Sequence, residues 1–175
     1  RSLKLTNITL ANGRLALGGC VTVRGALTAF DTTFRGCHSI SGGIFAGIGG
    51  AVAAFGSSLY LSNTQFLNNI ADADGGGIYL ASGTGSMENV SLIGNRANLT
   101  YTNSGGGMFV GSGVLLTMTN SRVSNNLFGY TGYGGGIAAY STTIRLYNVV
   151  LSDNHGANAG LGGGLYLRNV TATLA

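Results

Sequence analysis

The sequence predicts an all-β solenoid, a parallel β-helix of about six coils, and three observations predict it. Paired glycines recur every 26 to 31 residues, a short run of alternating apolar residues follows each pair, and an Asn-centred block completes each unit. Self-similarity at such a period marks a chain whose units bury their apolar faces only by stacking on one another.

The glycines come first. They stand at Gly18 and Gly19, Gly49 and Gly50, Gly75 and Gly76, Gly105 and Gly106, Gly134 and Gly135, and Gly162 and Gly163. Without Cβ they permit a sharp corner and a close backbone approach at the start of each coil. The runs after them include "CVTV", "GIYL", "GMFV" and "GLYL". They space apolar residues two apart, as at Ile78 and Leu80 or Met108 and Val110, which is the strand period. Ala54 and Ala139 hold the same phase as these larger residues, so the cross-section is expected to shrink there or to be filled from neighbouring coils.

The second block reads "LKLTNITLANG", "LTAFDTTFRGC", "LYLSNTQFLNN", "GSMENVSLIGN", "LTMTNSRVSNN" and "IRLYNVVLSDN". Its first polar position is Asn7, Asp31, Asn63, Asn89, Asn120 and Asn148. Three residues on lie Leu10, Phe34, Phe66, Leu92, Val123 and Leu151, and three beyond those Gly13, Cys37, Asn69, Asn95, Asn126 and Asn154. Coils stacked roughly 4.8 Å apart place such equivalents over one another, so the apolar columns become continuous internal stacks. Asn tolerates left-handed geometry, bonds to backbone at turns and can bond along a stack, so the Asn columns, like the glycines, are assigned to the scaffold. The glycine pairs and β-branched residues count against long repeated helices. Two apolar blocks separated by glycine also depart from the leucine-rich pattern.

Composition narrows the partners. Of 175 residues, 45% are hydrophobic, 32 are Gly, none is Pro and only 8% are charged. Without Pro or a three-residue period the glycine is not collagen-like. The net charge of +4 rests on eight dispersed arginines and Lys4, whereas a nucleic-acid binder gathers its cations on one surface, so no nucleic-acid partner is expected. No run of 18 apolar residues predicts a membrane span in this segment. The chain opens without Met or a leader-like stretch, and residues 1–175 are read as one β-helix segment of a longer or processed protein.

The pairing of "GGAV", "GGGI", "GGGM" and "GGGL" with "FLNN", "LIGN", "VSNN" and "LSDN" resembles the GGA[I/L/V] and FxxN repeats of chlamydial polymorphic outer membrane proteins. It also resembles the wider group of secreted proteins with right-handed parallel β-helix repeats. Gly49, Gly50 and Ala51 with Phe66 and Asn69 match both motifs. Elsewhere Gly replaces the Ala, while Leu92, Val123 and Leu151 replace Phe. The resemblance implies a right-handed solenoid at the cell surface or outside the cell, acting as a structural or adhesive scaffold for protein or glycan contacts.

Polysaccharide lyases and hydrolases resemble this architecture too, and an enzyme of that kind is the alternative reading. It needs two or three carboxylates around one bond. The acids are Asp31, Asp72, Asp74, Glu88 and Asp153, and in-register stacking forces no three of them together, so no catalysis is expected; the best pairing would set Asp72 or Asp74 against Arg96 or His155. Asp72 and Asp74 before a glycine triplet also suggest a calcium loop, but the repeated G-G-x-G-x-D nonapeptide is absent and a solvated turn is expected. Lys4 is the only lysine, which excludes a phosphate-binding loop. His38 and His155 have no Cys or Asp at metal-ligand spacing, so neither metal nor cofactor is expected.

Cys20 and Cys37 either close a disulfide across one coil, consistent with secretion, or remain buried thiols. Sequons occur at Asn7, Asn89, Asn98 and Asn169; Asn98, in a variable turn, is the preferred N-glycosylation candidate, because Asn7 and Asn89 fall in an inward or corner-bonding column. Tyr101, Tyr130 and Tyr133 in the variable turns are candidate glycan contacts. An ice-binding array would need matched Thr, yet the residues before the first Asn column run Thr6, Phe30, Ser62, Glu88, Thr119 and Tyr147. Open backbone groups at the ends of such a rod invite further subunits through end or side packing.

Overall fold

The computed structural model describes residues 1–42, 47–97, 104–129, 131–156 and 160–175. Within them every regular element is a strand, and the strands stack as four parallel sheets, one of seven strands and three of six. One coil runs through Ser57–Ser62, Gln65–Leu67, Ile70–Ala71 and Ile78–Leu80, contributing one strand to each sheet. The chain is therefore a parallel β-solenoid of about six coils. The long sheet takes the strands like Ser57–Ser62, and the fourth sheet those that follow the glycines.

Strand pairing reproduces the repeat register. Phe66 lies between Phe34 and Leu92, Met108 between Ile78 and Ile137, and Leu80 pairs with Ala54. These columns point inward and are fully buried. Phe34 and Phe66 stack with centroids 4.8 Å apart, so the strand spacing is also the ring spacing. Where a column carries a small residue, a neighbouring wall supplies the atoms: a Cβ on Gly85 would lie 3.3 Å from the Leu80 methyl and 2.8 Å from that of Leu116.

The two Asn columns differ in place and purpose. Asn7, Asp31, Asn63, Asn89, Asn120 and Asn148 all have φ between 47° and 52°, and along the outside of the corner Asn63 Nδ2 donates to Asp31 Oδ1 at 3.0 Å, Asn89 Nδ2 to Asn63 Oδ1 at 2.7 Å and Asn148 Nδ2 to Asn120 Oδ1 at 2.8 Å. Asn7 and Asn89 are exposed there rather than turned inward. The second column is internal. Asn69, Asn95 and Asn126 are fully buried, and each Nδ2 donates both to a backbone carbonyl of the preceding coil and to the Oδ1 of the Asn in the following one.

The glycine that replaces Ala in the third motif position is packed between the next coil's backbone and this ladder, and a Cβ on Gly77, Gly107 or Gly136 would lie 2.8, 2.7 or 2.5 Å from the carbonyl oxygen of Gly107, Gly136 or Gly164. It would also lie 3.2, 3.1 or 3.1 Å from the Cγ of Asn95, Asn126 or Asn154. In the first coil the same two places hold Cys20 and Cys37, joined as a disulfide with Cα atoms 5.6 Å apart. Cys37 N still donates to Asn69 Oδ1 at 3.0 Å. The bridge thus stands where the amide ladder stops.

Candidate functional site: an outward aromatic ladder beside a half-buried carboxyl

On the outer face of the fourth sheet the side chains form two columns. One runs through Ala53, Tyr79, Phe109, Ala138 and Tyr166, which are strand partners. The other lies two residues later along each coil and holds Arg24, Phe55, Ala81, Gly111, Tyr140 and Arg168. Where one column carries a ring, its same-coil neighbour in the other is Ala or Gly, except for Tyr166 beside Arg168. Each coil from the second to the sixth consequently contributes one ring, and the rings interleave rather than collide.

The ladder is continuous. Centroids are 5.9 Å apart from Phe55 to Tyr79, 4.9 Å to Phe109, 5.5 Å to Tyr140 and 5.6 Å to Tyr166. The Arg24 guanidinium caps the first ring at 5.1 Å. All five rings are half-buried.

A second line of residues borders the ladder, the one just before each glycine pair. Gly49 N donates to Asp74 O at 3.0 Å, Gly75 N to Ser104 O at 3.0 Å, Gly105 N to Tyr133 O at 2.8 Å and Gly134 N to Leu161 O at 3.0 Å. The glycine corner folds this line back toward the sheet, and Gly75 adopts φ 68° to do so. Asp74 is thereby brought beside the rings. Ser104 N donates to Asp74 Oδ1 at 2.7 Å, and Ser104 Oγ lies 3.0 Å from Tyr140 OH.

Burial pushes the Asp74 carboxyl up from its ordinary 3.8 to about 6, against the lowering effect of the Ser104 N–H bond. Burial, with the Asp74 charge nearby, also raises the Tyr79 phenol. Between pH about 4 and about 6 the folded chain holds more protons than the unfolded chain, so stability falls as pH rises through that window. Asp74→Asn keeps an acceptor for Ser104 and removes the charge. It is expected to stabilise the protein by about 1–2 kcal/mol at neutral pH, with little effect below pH about 4, read from urea unfolding across pH.

The carboxyls expected in a solvated turn are thus both engaged. Asp72 Oδ1 lies 2.9 Å from His38 Nε2, and its Oδ2 accepts from Ser41 N at 2.9 Å. His155 Nδ1 lies 3.2 Å from Asp153 O. Among the described residues no three His, Cys, Asp or Glu side chains gather as a metal-ligand group.

Tyr133 is half-buried and stacks on Tyr166 at 4.5 Å, joining the ladder's far end. Tyr101, Tyr130 and Asn98 lie outside the described residues. Among the other sequons, Asn169 is exposed with φ 56°. The ring ladder was not singled out in the sequence. Its signal was the exchange of aromatic and small residues between two outward positions of the post-glycine strand.

The fold and this surface define a parallel β-solenoid with an outward aromatic ladder. No protein-family model matches the chain, and no solved structure matches it. Over 102 residues it is 37% identical to a protein of Dictyostelium discoideum described as metabotropic glutamate receptor-like protein R. That match takes in 57% of this chain and 6% of the Dictyostelium protein, so the chain spans a small part of the relative's length.

Proposed function

We propose that this chain is an extracellular or cell-surface rod, a structural or adhesive scaffold that presents its outer faces to proteins or glycans. The observation that carries the reading is the Cys20–Cys37 bridge built into the end of an internal amide ladder, since such bridges persist in oxidising compartments. The repeat's resemblance to polymorphic outer membrane proteins and the similarity to a receptor-like protein are compatible with the same place. A polysaccharide-acting enzyme is the second reading, favoured by the raised Asp74 carboxyl beside aromatic rings.

The test is expression through a eukaryotic secretory pathway, followed by non-reducing peptide mapping and binding of the secreted protein to cell surfaces. The expected result is secreted, oxidised protein whose unfolding free energy falls by about 2–4 kcal/mol on reduction, for a bridge 17 residues apart. Retention in the cell with both thiols reduced would overturn the extracellular reading. Release of sugar fragments from a polysaccharide, lost in Asp74→Asn, would replace the scaffold with the enzyme.

A further inference from the structure

The aromatic ladder has the geometry of a linear binding track. Tyr79 and Phe109 have planes only 6° apart, yet their centroids are 4.9 Å apart. Flat rings pack at about 3.5–4.0 Å between carbon atoms, so the coil spacing is too wide for rings placed squarely over one another. They must tilt and slide, and each leaves part of one face uncovered, in keeping with their half-burial. Ala81, in the other outward column beside Tyr79, is small and part-exposed and leaves a shallow step next to that ring, whereas Gly111 beside Phe109 is buried against the Ala81 backbone.

Polar groups accompany the apolar ones. Asp74, buried Ser104 and the Tyr140 hydroxyl form a bonded line at the ladder's edge, and the carboxyl and the Tyr140 hydroxyl offer an acceptor and a donor. The tyrosines combine an apolar body with a polar tip. Fixed charges stand mainly at the two ends, at Arg24 and Arg168, with Asp74 the acid along the middle. A polyanion or polycation would find no row of opposite charges here. A chain of neutral pyranose rings fits better, because each sugar pairs an apolar C–H face with a rim of hydroxyls.

We infer that the outward face of the fourth sheet, from Phe55 to Tyr166, binds a linear neutral oligosaccharide along the rod, its sugars resting on the exposed ring faces and its hydroxyls bonding to the Asp74 carboxyl and the Tyr140 hydroxyl, which buried Ser104 holds in place. The inference deepens the adhesive reading of the rod and rests on it. Carbohydrate is the occupant committed to, and the repeated platform, one ring per coil, makes longer oligomers bind more tightly than short ones.

Isothermal titration of the purified, oxidised protein with cellohexaose, chitohexaose and maltohexaose tests it, with an oligogalacturonate as the charged comparison. Saturable binding of at least one neutral hexamer is expected, weakened about tenfold or more by Tyr79→Ala and within about twofold of the parent in Tyr79→Phe, which keeps the ring. Should Tyr79→Ala lose the strand signal in circular dichroism, Ala81→Gln fills the step beside that ring without removing the stack, and it is expected to abolish binding. The inference is overturned if the folded parent binds none of the three neutral hexamers, if only oligogalacturonate binds, or if Ala81→Gln leaves affinity unchanged. Secretion and oxidation are read separately, so a rod that is secreted and bridged but binds no hexamer loses this track and keeps the scaffold.

Discussion

Asn95→Ala is expected to lower the unfolding free energy by about 4 kcal/mol, measured by urea denaturation. The side chain is fully buried and serves four partners. Its Nδ2 donates to Phe66 O at 2.9 Å and to Asn126 Oδ1 at 3.0 Å, while its Oδ1 accepts from Asn69 N at 3.1 Å and Asn69 Nδ2 at 2.9 Å. Truncation leaves these groups facing a void that Gly77 cannot fill. Each buried orphan costs about 1–3 kcal/mol before relaxation, and the partial repair available to three neighbouring coils brings the total to the stated figure. The control is Asn89→Gly in the outer column, where exposure lets water take over the bond and glycine accepts φ 50°; a loss of only about 0.5 kcal/mol is expected. Equal losses at the two sites would show that the internal ladder is not what binds coil to coil.

Gly76→Ala is expected to prevent folding, seen as loss of soluble protein and of the strand signal in circular dichroism. The added Cβ would meet the Gly106 carbonyl oxygen and lie 2.5 Å from the backbone C and N of Arg96. All three are backbone atoms of the next coil, so no side chain can turn aside and the coils themselves must part. Parting them breaks the parallel ladder on both sides, including the bond from Gly76 N to Gly105 O at 3.1 Å. Gly113→Ala separates this crowding from backbone preference. Gly113 has φ 73° and nothing within 4 Å of an added Cβ, so it is expected to fold with a loss of about 1–2 kcal/mol. A Gly76→Ala protein that unfolds at the parent's urea concentration would contradict the close packing of glycine on glycine from coil to coil.

Much of this architecture could be read from particular residues. Phe34, Phe66, Leu92 and Val123 stack in the order the repeat alignment set, because a parallel coil one strand spacing above another leaves equivalent residues no other place to go. The roles of the Asn columns were legible only in part. Asn63 and Asn69 look alike in the sequence, six residues apart, yet one bonds along an exposed corner and the other is enclosed. Which side of the wall each falls on depends on how sharply the chain bends between them. Asp74 departs from the sequence expectation for a related reason: two residues from Asp72 in a glycine-rich turn it reads as solvated, but the corner at Gly75 lays it against the neighbouring coil.

The sequence by itself determined the repeat, the strand period, the in-register stacking and the residues that fill the interior, since these follow from spacing along one chain. Only the tertiary structure decided that Phe55, Tyr79, Phe109, Tyr140 and Tyr166 form one ladder, that Asp74 borders it, and that a disulfide takes the amide ladder's last place. Those facts join residues from different coils and from two outward columns. Their proximity comes from the bend of the glycine corner and the distance between coils, which the order of residues along the chain does not contain.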